Sequence, residues 1–231
     1  TQSDRDAEIL LEAALRKIAP EFQVIGEEAC AETVPDKLDE MFFLLDPLDG
    51  TRDFVAKRDN FPVNIGLIKG QYPIAGVIYA PVHEMLYFSG TDGAYRLAIA
   101  PDGTLDISQA EKLTTQKADP SGLRVIASRS HRGEQTDQII ASLNVKETIA
   151  TASSYKFCLL AEGTADFYPR YGRTMEWDTA AGQAILEAAG GIVTTEDGDR
   201  FTYGKLARGL HRIDKHYDRT TDSHTNTPRQ Q

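Results

Sequence analysis

Between residues 4 and 18, apolar Ala7, Leu10, Leu11, Ala14, Leu15 and Ile18 recur at the three- and four-residue spacing of one helical face. Asp4 and Asp6 load the start of that helix, where the backbone dipole favours anions, and Pro20 stops it. "FQVIGEE" (22–28) reads as a short strand running into Gly26, Glu27 and Glu28, and residues 29–40 read as a polar connector. "MFFLLD" (41–46) is a continuous apolar run, the pattern of a strand covered on both faces. From residue 62, "PVNIGLIKGQYPIAGVIYAPVHEMLYFSGTDGAYRL" gives several short strands broken by Gly and Pro, with turns at Lys69-Gly70 and Asp92-Gly93. Residues 100–121 are polar and loop-like.

The second half alternates: strand 123–128, helix 133–143, helix 153–162, strand 165–168, helix 179–190 and strand 191–195. That order belongs to a layered α/β unit. A shift of composition near residue 120 divides the chain into an N-terminal α+β half (1–120) and a C-terminal α/β half (121–205). Residues 206–231 carry almost no apolar side chains after Ile213 and read as a disordered, off-pattern tail. No internal repeat or low-complexity tract is visible.

Composition narrows the function classes. A chain of 231 residues with 41% apolar and 26% charged positions is long enough for a sizeable core. No apolar run reaches the roughly 18 residues of a membrane helix. The opening "TQSDRDAEIL" is not the basic-then-apolar leader of a secreted protein. Cys30 and Cys158 stand alone, without CxxC or disulfide spacing, which suits a reducing cytosol. A cytoplasmic location is therefore expected, and association with a membrane surface is left open. The net charge of −10, without a dense Lys/Arg stripe, argues against a nucleic-acid polymer as partner. Any phosphorylated ligand must be held locally, by metal ions or a few placed cations. Nothing in the sequence speaks to a homo-oligomer.

"DPLDGT" (46–51) supplies that kind of place. Asp46 and Asp49 project two carboxylates from one rigid turn, with the Leu48 carbonyl between them, and hard divalent cations take such oxygen ligands. Gly50 and Thr51 follow at the start of a helix, where free N–H groups suit a phosphate oxygen. Taken alone, Asp46 could merely end a strand and Asp49 merely cap a helix. Glu27, after the strand at 22–26, is either a third ligand or a solvated loop acid, and the second description fits Glu28 better. Asp178 in "WDTAAG" (177–182) opens a small-residue helix as a cap, with a second oxygen to spare for a metal. Asp4 is either a helix-start charge or a carboxylate that orients a nucleophilic water. Ser153, Ser154, Lys156 and Arg170 are either surface groups or anchors for a second phosphate, which an acidic chain would need. The five histidines show no ligand spacing, which argues against zinc, and neither a GxSxG elbow nor a Walker loop is present.

"GEE" (26–28), "DPLDGT" and "WDTAAG", in that order, resemble the inositol monophosphatase superfamily of Mg²⁺-dependent, lithium-sensitive phosphatases. "DGTRDF", "VNIGLI", "GVIYAPV", "ASRSH" and "SSYKFCLLAEGTADFYPRYG" are similar to its CysQ-type 3′(2′),5′-bisphosphate nucleotidases, over residues 1–204. The resemblance implies a mixed α/β fold, the layered αβαβα sandwich of the inositol monophosphatase/fructose-1,6-bisphosphatase type. It also implies a preceding N-terminal helix and loop that this chain lacks, so that the fold is expected to be truncated there. After "FTYGK" the chain leaves the family pattern of a final apolar strand.

By the same resemblance, Glu27, Asp46, Asp49, Asp178 and the Leu48 carbonyl would bind two or more Mg²⁺ ions, with Mn²⁺ as an alternative and Li⁺ inhibitory. Gly50 and Thr51 would hold the scissile phosphate, and Thr51 with Asp4 would activate water. Glu27, Leu48, Asp49 and Asp178 would also face the substrate, with Ser153, Lys156 and Arg170 on its second phosphate and nucleoside. The implied reaction hydrolyses 3′-phosphoadenosine 5′-phosphate to AMP and phosphate, as in sulfur metabolism. The alternatives are an inositol or sugar monophosphatase of the same superfamily, or a catalytically weak metal- and phosphate-binding fragment.

Overall fold

The apolar run at 41–46 forms β2 (Met41–Asp46), with Leu44 and Leu45 wholly buried. The computed structural model describes residues 1–128, 133–206 and 210, and the backbone of 215–220. Before β2 come α1 (Gln2–Ile18), β1 (Gln23–Gly26) and α2 (Glu27–Glu32). After it come α3 (Thr51–Val55), β3 (Val63–Lys69), β4 (Tyr72–Ala80), β5 (Met85–Gly90), β6 (Gly93–Ala98) and β7 (Glu111–Leu113). β8 (Leu123–Ser128), α4 (Glu134–Ala141), β9 (Val145–Thr151), α5 (Tyr155–Ala161), β10 (Phe167–Tyr171), α6 (Ala180–Ala188), β11 (Gly191–Thr195) and β12 (Lys215–Thr220) complete the described chain. No described helix is long and apolar enough to cross a membrane.

The first seven strands form one sheet in sequence order, joined by tight turns at the two predicted hairpins, with β1 parallel to β2 and the rest antiparallel. The second sheet has the order β11-β12-β10-β8-β9. Side chains alternate across a strand, so the clusters they join define the layers. Along β8, Leu123, Val125 and Ala127 pack with Ile140 of α4, whereas Ile126 packs with Phe157, Cys158 and Leu160 of α5. α4 therefore covers the outer face of the second sheet, and α5 and α6 lie between the two sheets. α1 and α2 pack against β1. This is the mixed, layered α/β arrangement expected.

α6 can lie on the first sheet because Gly66 and Gly76 face each other across β3 and β4. A Cβ on Gly66 would stand 2.7 Å from the Ala180 Cβ, and one on Gly76 would stand 2.4 Å from the Ala181 carbonyl. The helix backbone thus sits almost on the sheet backbone, and its first residues reach the end of β2.

Four expectations need correction. The "connector" 29–40 begins inside α2, whose first turn is held by a remote carboxylate, described below, rather than by a local pattern. β9 was missed because "VKETIAT" is an edge strand whose residues 146–148 are exposed, leaving little apolar signature. β7 and a 3₁₀ turn at Ile107–Gln109 interrupt the loop-like 100–121. The tail expected to be disordered contains β12, which pairs antiparallel with both β10 and β11. Backbone pairing on two sides makes that strand, so the apolar count gave no sign of it. The rest of the tail (207–209, 211–214 and 221–231) and the Arg129–His131 part of "ASRSH" lie outside the described residues.

Candidate active site

β1 and β2 run parallel with Gly26 opposite Leu45, so the next residues, Glu27 and Asp46, emerge side by side at the same end of the sheet. Glu27 is the first residue of α2 rather than a strand-end residue. Glu8 of α1, buried, accepts the amides of Glu28 at 2.9 Å and Ala29 at 2.8 Å and so pins that helix start. Asp46 is 1% exposed and accepts the Leu48 amide at 2.9 Å, which closes the turn. Gly50 caps α3 with φ +106°, and a Cβ there would stand 2.5 Å from Ser153 Oγ and 2.8 Å from the Asn60 carbonyl, so only glycine fits.

Asp49 Oδ2 accepts the Ser154 amide at 2.5 Å and the Asn64 amide group at 3.4 Å. Asp178 Oδ2 accepts the Thr174 hydroxyl at 2.7 Å and the Met175 amide at 2.9 Å. Asp178 is not the helix cap that the sequence suggests, because Thr179 occupies that position. Its bonds hold one oxygen and leave the other. In both aspartates Oδ1 accepts no protein hydrogen bond among the described residues.

The carboxylates press on one another. Burial pushes Glu27 up to about 7, helped by the charges of Asp178 and Asp49. Burial raises Asp46 well above the usual carboxylate range, with Asp49, Glu27 and Asp178 adding to it. Asp49 is raised by burial and by Asp178, against the opposing pull of Lys156. Like charges repel, and among the described residues no three acidic, His or Cys groups already stand at chelating positions. Even so, the donors are all hard oxygens, they are crowded and largely desolvated, and the tethers leave oxygens free. That set fits a hard divalent cation such as Mg²⁺ or Mn²⁺ and not a thiolate- or imidazole-seeking metal.

Thr51 Oγ1 donates to Asp4 Oδ1 at 3.2 Å, with the Leu48 carbonyl a second acceptor at 3.5 Å. Asp4 is buried in α1 and brought to α3 by the fold, 47 residues away in sequence.

Seven of the residues singled out in the sequence line one cavity of about 280 Å³: Asp49, Gly50, Thr51, Ser153, Lys156, Arg170 and Asp178. Glu27, Asp46, Leu48 and Asp4 are not among its lining residues. Lys156, 4% exposed, lies 5.1 Å from the centre of the Tyr168 ring. Arg170 donates to the Tyr168 hydroxyl at 3.4 Å and the Arg173 carbonyl at 3.1 Å, and its buried Nε has no hydrogen-bond partner among the described residues. Burial works to discharge Arg170, but Tyr168, Asp178 and Asp49 outweigh it and keep the guanidinium charged. Ser153 holds φ +57° and donates to the Asn60 carbonyl at 3.3 Å.

Sequence reasoning missed Glu8, Asn64, Thr174, Arg52 and Arg173, of which the last three line the cavity. Asn64 had a signal: a lone amide inside the apolar strand "VNIGLI" needs a buried partner. The others had none.

The profile of the inositol monophosphatase family matches residues 1–223. The chain is 38% identical over 209 residues to the 3′(2′),5′-bisphosphate nucleotidase CysQ of Buchnera aphidicola, covering 90% of this chain and 75% of that protein. It is 34% identical over 203 residues to the enzyme of the same name from Escherichia coli strain K12, covering 88% and 78%. Among solved structures, CysQ from Bacteroides thetaiotaomicron superposes with a TM-score of 0.75 at 35% identity, covering 90% of this chain and 81% of that one. Inositol monophosphatase-II from Staphylococcus aureus shares the fold, with a TM-score of 0.75 at 20% identity over 94% and 76% of the two chains. From its two sheets and carboxylate cluster to these matches along most of its length, the chain belongs to the inositol monophosphatase family.

Proposed function

We propose that the protein is a Mg²⁺-dependent 3′(2′),5′-bisphosphate nucleotidase, hydrolysing the 3′-phosphate of 3′-phosphoadenosine 5′-phosphate to AMP and inorganic phosphate. Enzymes of this family are generally Mg²⁺-dependent. The observation that carries the reading is a single cavity whose wall changes sign. Asp49 and Asp178 line it together with Lys156 and Arg170, whose buried Nε has no hydrogen-bond partner among the described residues. A monoester needs the acidic, metal-holding side alone. A second phosphate gives the two cations something to bind.

Glu27, Asp46, Asp49, Asp178 and the Leu48 carbonyl would hold the metal, with two or more ions in keeping with so many donors. The chemistry Mg²⁺ supplies when bound is activation of water and stabilisation of charge on the leaving oxygen. The Gly50 and Thr51 amides at the start of α3 would take oxygens of the scissile phosphate. Thr51, donating its own proton to Asp4, turns its oxygen lone pairs outward, where they accept a hydrogen bond from the attacking water. Water oxygen bonds to phosphorus, the P–O3′ bond breaks, and the leaving oxygen takes up a proton. Lys156 and Arg170, with Ser153, would hold the 5′-phosphate end in register.

The test is phosphate release from 3′-phosphoadenosine 5′-phosphate and, separately, from inositol 1-phosphate, with Mg²⁺ or Mn²⁺ and with or without Li⁺. Release that needs the divalent ion, falls with Li⁺, favours the bisphosphate and disappears in Asp49→Asn is the expected result. Preference for inositol 1-phosphate would move the assignment to a monoesterase of the same family. Metal-dependent stabilisation without any release would make the protein a binding module.

A further inference from the structure

Asn64 and Ser154 are the least exposed polar groups behind the metal-side carboxylates, at 0% and 2% exposure. They come from different layers. Asn64 lies on β3, directly opposite Asp46 in the register with β2. Ser154 immediately precedes α5 and is 90 residues away. Ser154 Oγ donates to Asn64 Oδ1 at 2.6 Å.

A primary amide has two faces that look alike in shape and are opposite in polarity: a carbonyl that accepts and an NH₂ that donates. The Asp49 carboxylate can only accept, so it takes the NH₂, and the Ser154 hydroxyl completes the arrangement by donating to the carbonyl. With Oδ1 taken as acceptor, the Asn64 NH₂ is turned toward Asp49 and donates to Oδ2 at 3.4 Å. The Ser154 backbone N–H reaches the same Oδ2 at 2.5 Å. Both donors therefore converge on one oxygen of Asp49, and Oδ1 is the one left for a ligand.

We propose that the Ser154–Asn64 pair is a positioning relay that selects which oxygen of Asp49 faces the site and carries that choice across the junction of the first sheet with α5. Partners of this kind orient ligating carboxylates and tune affinity without touching substrate. The inference rests on Asp49 being a metal ligand, as proposed above.

Ser154→Ala removes only the hydroxyl and leaves the backbone bond to Asp49 in place. The buried Asn64 Oδ1 is then left without its donor, and the amide is no longer held in register for its bond to Asp49. Asn64→Ala removes the second donor outright. Each single variant is expected to weaken Mg²⁺ binding roughly 10- to 100-fold. Because both act along one chain of bonds, the double variant should bind about as weakly as the worse single one.

Mg²⁺ titration is followed by the fluorescence of Trp177, the only tryptophan, which adjoins Asp178, and by Mg²⁺-dependent melting. Both work without turnover. Asp49→Asn is run first; if it leaves the Mg²⁺ response intact, Asp49 is not a ligand, and the relay falls with that assignment. If Asp49→Asn abolishes the response while Ser154→Ala and Asn64→Ala bind Mg²⁺ like the parent, the relay alone is overturned. Losses that multiply in the double variant would make the two residues independent and would also overturn it. Should Ser154→Ala fail to fold, judged by its melting curve without metal, Ser154→Cys, which keeps a weaker donor, replaces it in the same cycle.

Discussion

Asp49 lines the cavity from the turn after β2, with the charges of Glu27 on α2 and Asp46 on β2 felt beside it, whereas Lys156 and Arg170 line it from α5 and β10 of the other half. Acid on one side and base on the other would ordinarily collapse into ion pairs. Here no salt bridge joins these five residues among the described ones. Uncharged groups hold three of them instead: Leu48 on Asp46, Ser154 and Asn64 on Asp49, and Tyr168 and Arg173 on Arg170, the last through uncharged oxygens. Asp178 crosses the division. It belongs to the second half in sequence but is carried to the carboxylates because α6 lies on the first sheet. The site's polarity is set by which layer each residue leaves from, and fixed spacers keep the layers apart.

Removing a charge from the acidic side has the largest expected effect. Asp46→Asn and Asp49→Asn should each lower kcat by about 10³-fold or more, since several kcal/mol of transition-state stabilisation would pass through the metal they are proposed to hold. Without metal, the same variants should melt higher than the parent, by about 2–4 °C for 1 kcal/mol of relieved repulsion. Loss of activity together with loss of stability would show that the aspartates are structural, and the division of labour would break. Next in size, Thr51→Val should lower kcat about 100-fold through loss of the oriented water, with little change in the Mg²⁺ midpoint. A shifted midpoint would place Thr51 among the ligands instead.

Most of the acidic side was legible in the sequence and less of the other side was, for a physical reason. Asp46, Asp49, Gly50 and Thr51 fall within six consecutive residues, so one turn displays most of the device. The parallel pairing of β1 with β2 then puts Glu27 in place, and "GEE" marks it. By contrast, Thr174 and Arg173 precede α6 in a loop without a recognisable pattern, and Asn64 and Ser154 meet only after two layers have packed. The same difference appears in the fold. β2 through β6 announce themselves by apolar runs and turn residues, while β9 and β12 are defined by the strands beside them. Local chemistry is written locally, but pairing partners far apart in the chain are not.

The cationic side gives a smaller and more selective effect. Arg170→Met should raise KM for 3′-phosphoadenosine 5′-phosphate about tenfold or more, the worth of a hydrogen bond to a charged group. kcat should change little, because the acidic side is untouched. Against adenosine 3′-monophosphate the same variant should lose almost nothing. Steady-state kinetics on the two substrates measure this directly. Equal losses on both would mean that Arg170 serves the scissile phosphate or the fold, and that the two walls of the cavity are not specialised.

The smallest expected effect tests the spacer between them. Gly76→Ala places a methyl 2.4 Å from the Ala181 carbonyl, a backbone atom that cannot swing aside, so α6 must lift from β4. Overpacking of this kind costs about 1–3 kcal/mol, or a melting point lower by several degrees. Gly133→Ala, whose added methyl meets nothing within 4 Å, should leave the melting point nearly unchanged. The informative quantity is what happens to the molecules that stay folded. Asp178 sits two residues before α6, so lifting the helix draws one carboxylate away while Asp46 and Asp49 stay with the first sheet. Mg²⁺ should then bind more weakly in Gly76→Ala than in Gly133→Ala. Equal metal affinity in the two would mean that the seat of α6 matters for stability alone, and that Asp178 finds its position by some route other than the contact of helix and sheet.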